Sequence, residues 1–302
     1  MTYTHYGEIG DVWKHLPLAE ILAMEPPAAY WESHAASGLY ELAPEPNQVY
    51  GAVRYLERAT ASDVLRRSPY TELLESYRND EGVLDRYPGS PVIAMSLLEG
   101  TRASSDRPTF LFCDTEAAAV RSVREHAHAL GVRESDVTTV HGDGISTLFD
   151  ALSTASSAEI AGTFAHVDPY TPMAAGERGR TGWDLFRRLL EKGVRAMLWY
   201  GYQTEDEEAQ WRAFLEDRLD STGFDGERYG LWTGEIVVDA FADPETSATH
   251  PGVFGSGVLC GNLADRTIDR CRAVGEGLVS CYADAVLPDG NDGSLSFVEP
   301  CP

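Results

Sequence analysis

Short runs of β-branched and aromatic residues alternate with segments of helical periodicity along this chain, and that alternation leaves few architectures open. Seven runs recur: Ala29–Ser33, Thr109–Cys113, Val137–Val140, Thr163–Val167, Ala196–Tyr200, Glu235–Asp239 and Gly257–Gly261. Between them, Glu116–Leu130 and Asp184–Lys192 carry apolar residues at helical spacing. Strands separated by crossover helices build a parallel sheet with helices on both faces. The expectation is a doubly wound α/β fold with a seven-stranded sheet.

One stretch departs from the pattern. From about residue 44 to 98, the helical segments Tyr50–Arg67 and Thr71–Tyr77 run into the turn-rich Tyr87-Pro88-Gly89-Ser90-Pro91 without an intervening strand. The expected organisation is a Rossmann-like domain of residues 1–43 and 99–302, interrupted after its first strand by a helical insertion, residues 44–98.

In open α/β sheets the ligand lies beyond the carboxyl ends of the strands. The residues there are His34 to Gly38 after the first run, Asp114 after the second, His141-Gly142-Asp143-Gly144 after the third and Asp168-Pro169-Tyr170 after the fourth. An acidic residue at the end of a second strand accepts hydrogen bonds from a ribose diol, and Asp114 has that place. Asp143, on a Gly-Asp-Gly turn, offers an acceptor for an adenine amino group. Near the N-terminus, Asp11, Lys14 and His15 are spaced i, i+3, i+4 and share one face if the segment is helical. Lys14 or a protonated His15 suits a carboxylate partner.

Charge narrows the partners. Forty-eight acidic against 24 basic residues give a formal net charge of −24, and no four Lys/Arg cluster together. Lys and Arg supply most non-specific affinity for polyanions, so nucleic acid is a poor partner and a small molecule a better one. The cysteines, Cys113, Cys260, Cys271, Cys281 and Cys301, lack the C-x-x-C pairs of zinc or redox sites, and no metal is expected. Neither a secretory leader nor an apolar run long enough to span a membrane is visible, which points to a cytoplasmic chain with no membrane partner. The sequence leaves the oligomeric state open.

Gly10-Asp11-Val12-Trp13-Lys14-His15, Ser33-His34-Ala35-Ala36-Ser37-Gly38, Arg86-Tyr87-Pro88-Gly89-Ser90-Pro91, Asp143-Gly144, Asp168-Pro169-Tyr170 and Leu198-Trp199-Tyr200 occur in the order and rough spacing of a known family. Through them the chain resembles the RlmJ-type 23S rRNA adenine methyltransferases, class I S-adenosylmethionine (SAM) enzymes with a helical subdomain after the first strand. The resemblance implies SAM as cofactor or substrate. It implies that His15, His34, Ser90, Asp114, Asp143 and Gly144 contact it, with Lys14 nearby and Gly38 in the first-strand loop. It implies that Asp168 faces the reacting centre.

Two departures separate the chain from that family. The family's catalytic Asp-Pro-Pro-Tyr, whose aromatic ring stacks on a flipped adenine, is replaced by Asp168-Pro169-Tyr170-Thr171. The first-strand loop carries Ala35-Ala36-Ser37-Gly38 where the family has more glycine. With the acidic charge, these changes suggest that the SAM site was kept and the RNA site abandoned. The preferred expectation is an enzyme similar to azetidine-2-carboxylate synthases, which cyclise SAM and release methylthioadenosine. Asp168 and Tyr170 would be catalytic, with Tyr6, Trp13, Trp199 and Tyr170 as rings beside the sulfonium. The alternatives are a small-molecule methyltransferase, a non-catalytic SAM-binding module and, least favoured, an rRNA methyltransferase.

Overall fold

The computed structural model describes residues 5–42, 45–99, 107–169, 171–222, 224–238, 255–286 and 293–300. Its strands are β1 (Ala29–Glu32), β2 (Leu39–Glu41), β3 (Arg86–Pro88), β4 (Thr109–Asp114), β5 (Val137–His141), β6 (Thr163–Val167), β7 (Arg195–Tyr202), β8 (Trp232–Val238), β9 (Gly255–Gly261) and β10 (Leu295–Val298). Each of the seven sequence runs overlaps a strand of the main sheet. That sheet nevertheless has eight strands among the described residues, in the order β10-β8-β9-β7-β6-β1-β4-β5. The additional strand, β10, runs antiparallel to β8 at the edge. Four residues between polar, proline-bearing flanks gave too short a pattern to single it out.

The central strands β7, β6, β1, β4 and β5 are parallel, whereas β9 returns antiparallel between β7 and β8. The chain starts at β1 in the middle and winds outward in both directions, so a crevice opens between the carboxyl ends of β1 and β6.

The helices are α1 (Ile9–Met24), α2 (Pro46–Gln48), α3 (Arg54–Ala59), α4 (Asp63–Arg66), α5 (Pro69–Glu75), α6 (Ser90–Glu99), α7 (Ala117–Ala129), α8 (Gly144–Thr154), α9 (Ser157–Gly162), α10 (Gly182–Lys192), α11 (Glu205–Thr222) and α12 (Asp265–Tyr282). α1, α6, α7 and α12 cover one face, and α8, α10 and α11 the other. α10 shows how the sequence sets such an element. Thr181 and Asp184 form a reciprocal capping box, Leu185, Phe186, Leu189 and Leu190 are buried, and Gly193 ends the helix in the left-handed conformation at φ 90°.

Residues 39–99 between β1 and β4 contain α2 to α6, a π-helical turn at Val49–Val53 and a two-stranded antiparallel sheet, β2–β3, whose strands flank α2 to α5 in the chain. They pack on α1 and α12. Gly51 lies so close to the N-terminal segment that a Cβ there would stand 2.3 Å from the Gly7 carbonyl oxygen. No helix among the described residues is long and apolar enough to cross a membrane. Cys113, Cys260, Cys271 and Cys281 are buried free thiols, and burial pushes the Cys113 thiol up to about 12. Cys301 lies outside the described residues.

Candidate active site

The strand register brings the polar strand ends together: Glu32 of β1 lies opposite His166 of β6, and Asp114 of β4 opposite His141 of β5. The chain leaving β1 is pinned by the Ser33 N–H donating to the His166 carbonyl at 3.1 Å and the Ala35 N–H to the Cys113 carbonyl at 2.9 Å. Ala36 then takes a left-handed backbone, φ 49°, where a Cβ is strained. Asp114 holds it there: Oδ2 accepts the Ala36 N–H at 2.8 Å, and Oδ1 accepts the Glu116 N–H at 2.8 Å. Asp114 is thus a buried carboxylate facing the β1 loop. In the same loop, Gly38 donates to Ser122 Oγ at 3.2 Å and is crowded by His126 and Val92.

Asp143 is the N-cap of α8, accepting from Ile145 N–H at 3.0 Å and from the Ser146 hydroxyl at 2.6 Å. Gly144 serves close packing: a Cβ on it would meet the Ser33 carbonyl oxygen at 1.7 Å. His34 Nδ1 lies 2.8 Å from the Ser33 hydroxyl, and burial pushes its pKa down to about 4, so the ring is neutral at pH 7.

The deepest part of the crevice is a buried ion centre. Because Asp11 and Lys14 are one turn apart on α1, Lys14 Nζ reaches Asp11 at 3.0 Å and, across the crevice, Asp168 at 2.9 Å. The same ammonium lies 5.2 Å from the centre of the Trp199 ring. Burial opposes the Lys14 charge, but Asp168 and Asp11 outweigh it and hold its pKa above the usual range. Burial raises the Asp168 pKa while Lys14 pulls it back.

Two residues of this centre were not singled out from the sequence. Glu32, with no exposed surface, accepts from the Ser90 hydroxyl at 2.5 Å and from Tyr30 at 3.2 Å, and lies 3.0 Å from His166 Nδ1. Burial lifts its pKa to about 8, and burial lowers that of His166 to about 4. His166 Nε2 is buried without a hydrogen-bond partner among the described residues. An ionisable residue within each of two otherwise mostly apolar strands was the available signal. Ligating atoms of Glu32, His166 and Asp168 lie within 4.8 Å of one another. By composition that set is able to hold a cation, and the positive charge placed against it here is Lys14.

His15, beside Lys14 on α1, turns away to Tyr87, whose hydroxyl lies 2.8 Å from Nδ1, and Tyr70 extends the chain by another 2.8 Å contact. Burial keeps His15 neutral, and its Nε2 has no hydrogen-bond partner among the described residues. Trp13 sits in the core with Nε1–H on the Gly234 carbonyl at 3.2 Å, edge-on to Phe297. Tyr6 stacks on Tyr40 at 4.4 Å and donates to the Glu41 carbonyl. Of the rings expected at a sulfonium, Trp199 is the one in contact with the ion centre; Tyr170 lies outside the described residues.

Beyond β7 there is a cavity of about 190 Å³ lined by Thr171–Met173, Trp199–Gln203 and the α11 residues Glu207, Gln210 and Trp211. Trp199 belongs both to this cavity and to the surroundings of Lys14.

The same fold occurs in protein LPL1258 from Legionella pneumophila str. Philadelphia 1, whose description names the family DUF519. The two superpose with a TM-score of 0.71 over 98% of this chain and 97% of that one, at 20% identity. A SAM-dependent methyltransferase from Agrobacterium tumefaciens matches at a TM-score of 0.38 and 11% identity, over 82% of this chain and 60% of that one. SMU.776, a putative methyltransferase complexed with SAH, matches at 0.31 and 9%, over 57% and 42%. The first likeness establishes the fold; the other two are too distant to argue from. No protein-family model matches the chain, and no curated protein does.

Proposed function

We propose that this chain is a SAM-dependent enzyme acting on a small molecule, and that it closes the methionyl arm of SAM to azetidine-2-carboxylate with release of methylthioadenosine. The observation that supports this is the buried centre of Lys14, Glu32, His166 and Asp168 at the junction of β1 and β6. SAM would lie along the strand ends, its ribose toward Asp114 and its adenine toward the Asp143 turn. That direction carries its methionyl arm to the ion centre.

Lys14 would receive the methionine carboxylate. Drawing the ammonium toward that carboxylate would loosen its hold on Asp168, leaving a buried carboxylate ready to take a proton from the α-ammonium. The freed nitrogen lone pair attacks Cγ, the Cγ–S bond breaks with its electron pair going to sulfur, and the sulfonium becomes the neutral thioether of methylthioadenosine. One proton is released per turnover. A preorganised, dry site supplies much of such a barrier by orientation. With a net charge of −24, an rRNA substrate is disfavoured.

The cavity beside Thr171–Met173 favours a second reading, methyl transfer to a small acceptor held next to the SAM methyl group. Products separate the two. Purified protein incubated with SAM alone should accumulate methylthioadenosine and azetidine-2-carboxylate in equal amounts by mass spectrometry. S-adenosylhomocysteine formed only when an acceptor is added would replace the first reading with the second.

A further inference from the structure

We propose that the cavity between β7 and α11 is a binding subsite for a small organic cation, of the class of primary or methylated amines. Its described lining combines the aromatic residues Tyr200, Tyr202 and Trp211 on the α11 side of the sheet with Met173 and Glu207, and contains no Lys or Arg. Aromatic faces together with a carboxylate attract cations and give an anion nothing to bind. At about 30 Å³ per water, the roughly 190 Å³ has room for a ligand that displaces about six waters, the size of a compact alkylammonium.

The walls are built to stay in place. Glu235, with no exposed surface, accepts from the Tyr200 hydroxyl at 2.7 Å and the Tyr202 hydroxyl at 2.6 Å, and Arg212 closes the network at 3.0 Å. Gly257 and Gly255 on β9 make space for those two rings: a Cβ at either would fall 2.1 or 2.2 Å from Tyr200 or Tyr202. Tyr200 in turn packs on Trp211 with ring centres 4.7 Å apart. The Trp211 Nε1–H is buried and has no hydrogen-bond partner among the described residues. A buried glutamate, two glycines and three rings therefore hold one preorganised wall, which lowers the ordering cost of binding. The neighbouring Lys14 charge does not oppose a bound cation strongly, since Asp11 and Asp168 neutralise it.

A catalytic role for the subsite, holding the acceptor amine, rests on the methyl-transfer reading; cation binding does not. The test is ligand-observed NMR and calorimetry at 0.15 M salt with three probes of one shape: tert-butylammonium, tert-butanol and pivalate. The ammonium should bind at least about tenfold more tightly than the alcohol, in the range expected for a cation–π box, and pivalate should not bind. Glu207→Gln should weaken the ammonium several-fold. Trp211→Leu should abolish the preference and Trp211→Phe retain it, with circular dichroism confirming the fold. Equal binding of ammonium and alcohol, binding of pivalate, or ammonium binding undiminished in a folded Glu207→Gln/Trp211→Leu variant would overturn the proposal. SAM affinity, measured separately, decides the SAM reading without touching this one.

Discussion

Lys14 Nζ stands 2.9 Å from Asp168 Oδ2, so the first helix supplies the charge that neutralises the carboxylate at the end of the sheet's central crevice. Asp11 shares that ammonium from one turn away. A buried carboxylate paired with a lysine is a masked base, and its availability depends on what else claims the lysine.

Removing the lysine should expose that dependence. Lys14→Met leaves Asp168 and Asp11 without their counter-charge, and breaking a buried pair costs about 3 kcal/mol or more. Lys14 lowers the Asp168 pKa, so without it Asp168 binds its proton more tightly in the folded state. The loss measured by urea denaturation should therefore be larger at pH 7 than at pH 5, since the lower pH favours the neutral carboxyl. An equal loss at both pH values would show that Asp168 is not the group left stranded.

Glu32 should dominate a second pH dependence. Its folded pKa of about 8 lies above the ordinary carboxylate value, so the folded chain holds an extra proton between about 4.5 and 8. Stability then falls as pH rises through that window. His166 acts in the opposite sense: lowered to about 4, it makes stability rise with pH up to about 6.5. His34, also lowered to about 4 by burial, and His15, lowered too, act in the same sense as His166, so the histidines oppose the Glu32 fall below 6.5 and cease to do so above it. Glu32→Gln should therefore gain on the natural chain by an amount growing to a few kcal/mol between pH 4.5 and 8, measured as the difference between two stability-against-pH curves.

Strand positions were legible because a run such as Thr109–Cys113 is short, β-branched or aromatic, and bounded by polar residues. Asp114 could be placed because a strand end is a topological position. Glu32 and His166 could not, since an ionisable residue in a buried strand reads locally as an interruption; its meaning comes from the register that sets β1 beside β6. The fates of Trp13 and Trp199 were equally hidden. Both are aromatic residues at helix or strand spacing, yet one packs on Phe297 in the core and the other meets Lys14. Only the crossing of α1 over the sheet distinguishes them.

The Ala36–Asp114 contact carries a separate test. Ala36 has a positive φ that costs an L-residue about 1 kcal/mol or more, so Ala36→Gly should leave the folded chain more stable by up to about 1 kcal/mol in chemical denaturation. Asp114→Ala should do the opposite and, if Asp114 also receives the ribose hydroxyls, weaken SAM binding by about 1.5–3 kcal/mol. Unchanged SAM affinity by calorimetry, in a variant shown to be folded, would take Asp114 out of the binding site.

Asp168 is expected to govern chemistry more than binding, because in the proposed reading Asp114 and the Asp143 turn would meet the adenosine end, whereas Asp168 lies at the Lys14 centre. Asp168→Asn keeps the size and a hydrogen-bonding oxygen for Lys14 but removes the charge and the basicity. General-base help is worth about 10²–10⁴ in rate, so kcat should fall by that order while SAM affinity changes little. The substitution also deprives Lys14 of one of its two carboxylates, which frees the ammonium for the methionine carboxylate and argues for SAM binding that is unchanged or slightly tighter. Rapid-quench measurement of methylthioadenosine beside calorimetric SAM affinity distinguishes the outcomes. A variant that binds SAM poorly but turns over normally at saturation would place Asp168 in binding and not in proton transfer. Methylthioadenosine appearing with homoserine or its lactone in place of azetidine-2-carboxylate would mean that SAM is only being broken down, and the cyclisation reading would have to be withdrawn.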